Sequence, residues 1–148
     1  MKTYQTNIEQ ITLKKIKSDY KKVKISSSKD AADYIKQFYF DDLEIFESAF
    51  ILLLNRSNNT IGYAKISQGG IAGSVVDVKI ICKYAIETLC SGVILAHNHP
   101  RGNINPSTCD DSITERVKNA LNIFEIKLLD HVILTSESYY SYADNGNI

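Results

Sequence analysis

His97 and His99 are two of only three histidines in the chain, and a single residue separates them. They follow an apolar run, residues 92–96, that reads as a buried strand. Alternate residues of a strand point to the same face, so the two imidazoles project together, near enough for one metal ion to bind both. Pro100 stops the strand because it has no N–H for the ladder. The next residues, 101–106, hold the turn formers Gly102, Asn103 and Asn105. Ser107, Thr108, Cys109 and Asp110 then open a helix, and Asp110 in its first turn can reach back with an oxygen. Two imidazoles, one carboxylate and a free fourth position are the usual donor pattern of a catalytic zinc site. The same residues have a plainer reading. His-x-His is a weak pattern by itself, and Ser107 with Asp110 fits a helix capping box that needs no metal.

Several elements must position these groups. Residues 1–28 read as a polar, lysine-rich arm ending in the serine run 26–28, and residues 29–148 as one domain. From Lys29 the spacing of Ala31, Ala32, Ile35 and Phe38 or Tyr39 predicts a helix. Residues 47–55 are almost continuously apolar and predict a central strand buried on both faces. A hairpin loop at 55–60 returns the chain as a partner strand over 61–66. Residues 71–76 suit another short strand. Asp77 suits the N-cap of a helix over 78–90 with Ile80, Ile81, Tyr84, Ala85 and Leu89 on one stripe. A further helix runs from Asp110 to about Asn122. A strand surrounds Asp130 and His131, residues 139–142 pair back on it, and the tail from Asn145 is left loose. The order of helix, hairpin, helix, strand, helix and strands predicts an α/β (α+β layered) domain with helices packed on a mixed sheet.

Composition narrows the function classes. The chain has 148 residues, 44% of them hydrophobic, which is enough for one domain with a real core. No apolar run approaches membrane-spanning length, and the first residues lack an apolar signal region. Three cysteines without Cys-x-x-Cys spacing point to reduced thiols, and the expected location is cytoplasmic. Formal charge is zero overall but uneven. Seven lysines against Glu9 and Asp19 give residues 1–24 a net charge of +5, leaving −5 elsewhere. Such an arm can touch nucleic acid, weakly and without sequence preference, or pair with its own acidic body. A second copy of the chain is a further partner left open.

The segment His97-Asn98-His99-Pro100, with Pro106-Ser107, Asp110 and the downstream Leu129-Asp130-His131, resembles the RadC family within the JAB/MPN (JAMM-type) metalloprotease fold. Ten residues stand between His99 and Asp110, as in the His-x-His, ten residues, Asp pattern of that fold. The resemblance spans about residues 43–144. It implies a JAB/MPN sheet of the cytidine-deaminase-like kind, with Zn2+ held by His97, His99 and Asp110. It also implies two catalytic residues. Glu47, at the start of the 47–55 strand, matches the general base, with Glu44 as a nearby rival. Ser107 matches the serine that donates to the oxyanion. The implied activity is metallopeptidase or isopeptidase-like amide hydrolysis by a metal-activated water, on a peptide or protein substrate.

Two departures qualify that expectation. Arg101 stands where many RadC-like sequences have serine after His-x-His-Pro. Residues 1–46 lack the Gly-rich hairpins of the family's helix-hairpin-helix module, so the chain reads as a short form. The alternative reading is a DNA-repair-associated or nucleic-acid-associated module whose metal is structural. Asp130 and His131 are either support for the metal or a structural pair. A deaminase needs His-x-Glu with a later Cys-x-x-Cys, and the chain has neither.

Overall fold

A computed structural model describes residues 7–69 and 76–148. The first helix, α1, spans Ser28–Lys36, one residue earlier than its apolar spacing suggests. Ser27 caps it by accepting from the Asp30 N–H, and a 3₁₀ turn, Gln37–Tyr39, continues it. β1 (Ser48–Leu54) is buried at every position, and β2 (Thr60–Gln68) returns beside it. α2 (Val78–Glu87) starts at the Asp77 cap and ends short of Cys90. Leu89 there takes a left-handed backbone (φ 51°), which a helix cannot continue. β3 (Gly92–Asn98), α3 (Thr108–Ile123), β4 (Lys127–Leu134) and β5 (Tyr139–Ser141) follow. The short strand expected at 71–76 falls, except for its last residue, outside the described residues, and Val76 lies in no strand.

The five strands form one mixed sheet in the order β2-β1-β3-β4-β5. Among the described residues only β3 and β4 pair in parallel, joined by α3 as the crossover; the other neighbours are antiparallel. The sheet separates two apolar layers. Phe50, Leu52, Leu54, Ile94 and Ala96 pack beneath α1 with Ile35, Phe38 and Tyr39. Ala49, Ile51, Leu53, Val93 and Leu95 pack beneath α2 and α3 with Ile81, Val117 and Leu121. This is the mixed sheet with packed helices that the resemblance implies.

The arm does not remain apart from this body. Tyr20 and Val23 pack against the α1 layer, and Ile25 lies within it. Tyr20 donates its hydroxyl to the Gln37 carbonyl at 3.0 Å. The tail departs from the loose end expected of it. Asn147 N–H donates to the Tyr142 carbonyl at 2.9 Å, and Ile148 packs against the α2/α3 layer.

Candidate metal centre

Strand direction assembles the site. Two element starts meet at the carboxyl end of β3: the start of α3, which follows it, and the start of β1, which runs antiparallel to it. Ala49 lies opposite His97 in the register, so Glu47, two residues before Ala49, arrives at the same end. His97 is the sixth residue of β3 and belongs to the ladder, with Ile133 of β4 on its other side. His99 follows the strand and holds it by donating its N–H to the Leu134 carbonyl at 2.9 Å. Gly102, at φ 88°, bends the loop back as L side chains rarely allow. Asn103 is thereby brought beneath His99, whose Nδ1 lies 2.5 Å from its carbonyl oxygen.

Asp110 occupies the third position of α3 and closes a capping box with Ser107. Ser107 Oγ accepts the Asp110 N–H at 3.1 Å, and Asp110 Oδ2 accepts the Ser107 N–H at 2.8 Å. The same carboxylate faces both histidines. Its Oδ1 is 3.2 Å from His97 Nε2 and its Oδ2 is 3.4 Å from His99 Nε2. The two Nε2 atoms are 3.0 Å apart. Glu47 Oε1 stands 3.9 Å from His97 Nε2, and donor atoms of Glu47, His97 and His99 all lie within 4.8 Å of one another. Glu44 is exposed on the loop before β1.

The donor chemistry fits a divalent cation. A carbonyl oxygen only accepts, so His99 Nδ1 carries a proton, and in the neutral ring its Nε2 presents a lone pair. A tetrahedral ion with bonds of about 2.0–2.1 Å sets its donors about 3.3 Å apart. The two Nε2 atoms lie near that spacing from each other, and each lies near it from one Asp110 oxygen, Oδ1 for His97 and Oδ2 for His99. Burial pushes the Asp110 carboxyl up, but hydrogen bonds from protonated His97 and His99 and the charge of His97 outweigh it and hold the group well below the usual carboxylate range; a bound cation would stand in for those protons. The hydrogen bond to Asp110 raises His99 above the ordinary imidazole value, against the effect of its burial. A cavity of about 400 Å³ opens over the cluster, lined by Glu47, Leu95, His97, Asp110, Ile113 and Arg116 among others.

The sequence profile of the RadC-like JAB domain family matches residues 25–147. This chain belongs to that family. The RadC-like JAB domain is 46% identical over 123 residues to a UPF0758 protein of Flavobacterium johnsoniae, covering 83% of this chain and 53% of the relative. A UPF0758 protein of Porphyromonas gingivalis is 40% identical over 101 residues, covering 68% of this chain and 44% of the relative. One of Chlorobium chlorochromatii is 35% identical over 123 residues, 83% and 54%. The chain thus spans about half the length of these curated relatives.

Within this RadC-like JAB domain, Ser107 is exposed and its hydroxyl accepts at the cap, leaving its own proton without a protein acceptor among the described residues. Arg101 is exposed and forms no ion pair among the described residues. Asp130 and His131 separate in role. Asp130 fastens β4 to the chain around β5, accepting from Ser141 Oγ at 2.6 Å and from the Ala143 N–H at 3.0 Å. Its burial raises the carboxyl above the ordinary value despite these bonds. His131 instead touches the cluster, with Nε2 2.7 Å from His97 Nδ1. Burial, then the charge of His97, pushes its imidazole well below the usual range.

Asn98 was not singled out by sequence reasoning, although a polar residue between two same-face histidines must point to the opposite face. It is fully buried there. Its Nδ2 donates to the carbonyls of Leu43 and Phe46 at 2.6 and 2.8 Å, and its Oδ1 accepts the Ser48 N–H at 2.8 Å. Asn98 therefore pins both sides of Glu47 to the histidine strand.

Proposed function

We propose that this RadC-like JAB domain is a zinc-dependent hydrolase that cleaves amide bonds of the peptide or isopeptide kind. The observation that carries the reading is the convergence of two imidazole Nε2 atoms and one carboxylate at 3.0–3.4 Å, with a second carboxylate, Glu47, set just outside them. Nitrogen and oxygen donors in this ratio, with one side open, suit zinc better than the harder cations that take oxygen alone. His97, His99 and Asp110 are the proposed ligands. Bound there, zinc supplies Lewis acidity and lowers the pKa of water from 15.7 to about 7.

The chain's own groups divide the remaining work. Glu47 lines the cavity, where its carboxylate can accept a proton from the attacking water and return it to the leaving nitrogen. Ser107 has a hydroxyl proton to donate to the oxygen that becomes negative as the carbonyl is attacked. Leu95 and Ile113 give the cavity apolar walls that exclude bulk water, which strengthens the charges acting inside it. The deciding experiment is a metal-dependent cleavage screen on a peptide library, run beside Glu47→Gln. Cleavage that needs zinc and vanishes in the variant is the expected result; equal turnover by both proteins overturns the assignment.

A non-catalytic, nucleic-acid-associated role is the second reading. Its support is the lysine-rich arm, where Lys14, Lys15 and Lys17 are exposed. The same screen separates the two, since a structural metal gives no turnover.

A further inference from the structure

We infer that Thr114 and His131 are positioning residues of the metal centre, which hold His97 in the one tautomer that leaves its Nε2 free for a cation. The inference rests on the metal reading above and extends it to two residues that hold no ligand position.

Thr114 Oγ1 lies 2.6 Å from the main-chain carbonyl oxygen of Asp110. A carbonyl cannot donate, so the hydroxyl proton must lie on that contact. Thr114 Oγ1 is also 2.6 Å from His131 Nδ1, and with its only proton spent it can only accept there. His131 Nδ1 is therefore the N–H of that ring. Its other nitrogen, Nε2, meets His97 Nδ1 at 2.7 Å. One proton is needed between those two atoms. His131 is 1% exposed, stacked on Tyr142 with ring centres 4.9 Å apart, and no carboxylate is among its hydrogen-bond partners. A second proton on it would be an unpaired buried charge, so Nε2 accepts and His97 Nδ1 donates. The lone pair of His97 is left on Nε2, the atom that faces His99 and Asp110.

The alternative tautomer would break this order along the whole relay. It would place an N–H of His97 against the Nε2 lone pair of His99, where the cation belongs. The relay also begins and ends on one residue: Asp110 gives its side chain to the cluster and its carbonyl to Thr114. The first turn of α3 and the plane of the His97 ring are thus locked to each other by three hydrogen bonds, two of them buried and one part-buried. Partners of this kind fix the ring orientation and raise the basicity of the ligand, and their loss typically weakens metal binding about 10–100-fold.

The test measures zinc affinity by competition with a chromophoric chelator on the full chain and on His131→Phe, Thr114→Val and Thr114→Ser. Long-range ¹⁵N NMR reads the His97 tautomer in the metal-free wild-type protein. The expected result is a dissociation constant raised about 10–100-fold in His131→Phe and Thr114→Val, recovery in Thr114→Ser, and a proton on His97 Nδ1. Folded variants that bind zinc within about twofold of wild type overturn the inference while the metal reading stands. A His97 ring with its proton on Nε2 and none on Nδ1 overturns it as well, whatever the variants do, including if they fail to fold. Wild-type protein that binds no zinc removes the metal reading instead, and the tautomer signal then decides the relay by itself.

Discussion

Asn98 Oδ1 accepts the backbone N–H of Ser48 at 2.8 Å, on the face of the sheet opposite to His97. The residue between the two histidines thus ties down the segment that carries Glu47. Asn98→Leu should strand the Ser48 N–H and the carbonyls of Leu43 and Phe46 away from their partner. An unpaired buried group costs about 1–3 kcal/mol, so a loss of at least ~2 kcal/mol is expected in urea unfolding. Any cleavage activity should fall further than zinc occupancy does, because the ligands sit on the other side of the strand.

Zinc content should depend on the two histidines and Asp110. Elemental analysis of the purified protein is expected to find about one zinc per chain. His97→Ala and Asp110→Ala should bring occupancy close to zero even after reconstitution. Native protein that takes up no zinc under any loading would rule out the ligand set.

Glu47 and Ser107 should lose rate without losing metal. Glu47→Gln keeps the shape but cannot accept a proton, and a fall of about 10²–10⁴ in kcat is expected. Ser107→Ala should lose about 10²–10³ in rate. It should also lose roughly 1 kcal/mol of stability, because Ser107 caps α3 as well. Zinc analysis on both variants separates these effects from a collapsed site.

Cys109 should be the most reactive of the three thiols. It is exposed in the first turn of α3 and lines the cavity over the cluster, where a reagent can reach it. Burial pushes the thiols of Cys82 and Cys90 up from their ordinary value. Alkylation followed by mass spectrometry should label Cys109 first, and the adduct should inhibit turnover by filling the cavity. Equal labelling of all three would dispose of the idea.

Any nucleic-acid binding through the arm should be weak and steeply dependent on salt. Neutralising several phosphates with lysines releases counterions, so affinity drops as salt rises. Deleting residues 1–24 should abolish what binding there is. That deletion also removes Tyr20, which packs on the α1 layer, so the control is charge reversal at Lys14, Lys15 and Lys17, all exposed. Tight binding that survives physiological salt would contradict the expectation.

The local chemistry of the site was legible in the chain because it depends on short-range geometry. Two-residue periodicity puts His97 and His99 on one face, and three residues of helix put the Asp110 carboxylate back over the Ser107 cap. The relation of Glu47 to these groups is different in kind. It depends on β1 lying antiparallel to β3 with Ala49 opposite His97, and Glu44, three residues away, stands exposed. Asn98 showed its polarity in the sequence but not its partners, which lie 50–55 residues earlier. His131 was decided by tertiary structure alone. Between Leu128 and Asp130 the strand β4 carries one residue more than β3 does, a shift between Val93 and Ile94 in the pairing. Each residue of register exchanges the two faces of a strand. That extra residue turns His131 to the face of His97, whereas unbroken alternation from Leu128 would have turned it towards α1. No local pattern specifies such a shift, because it arises from how two strands joined by a whole helix settle against each other.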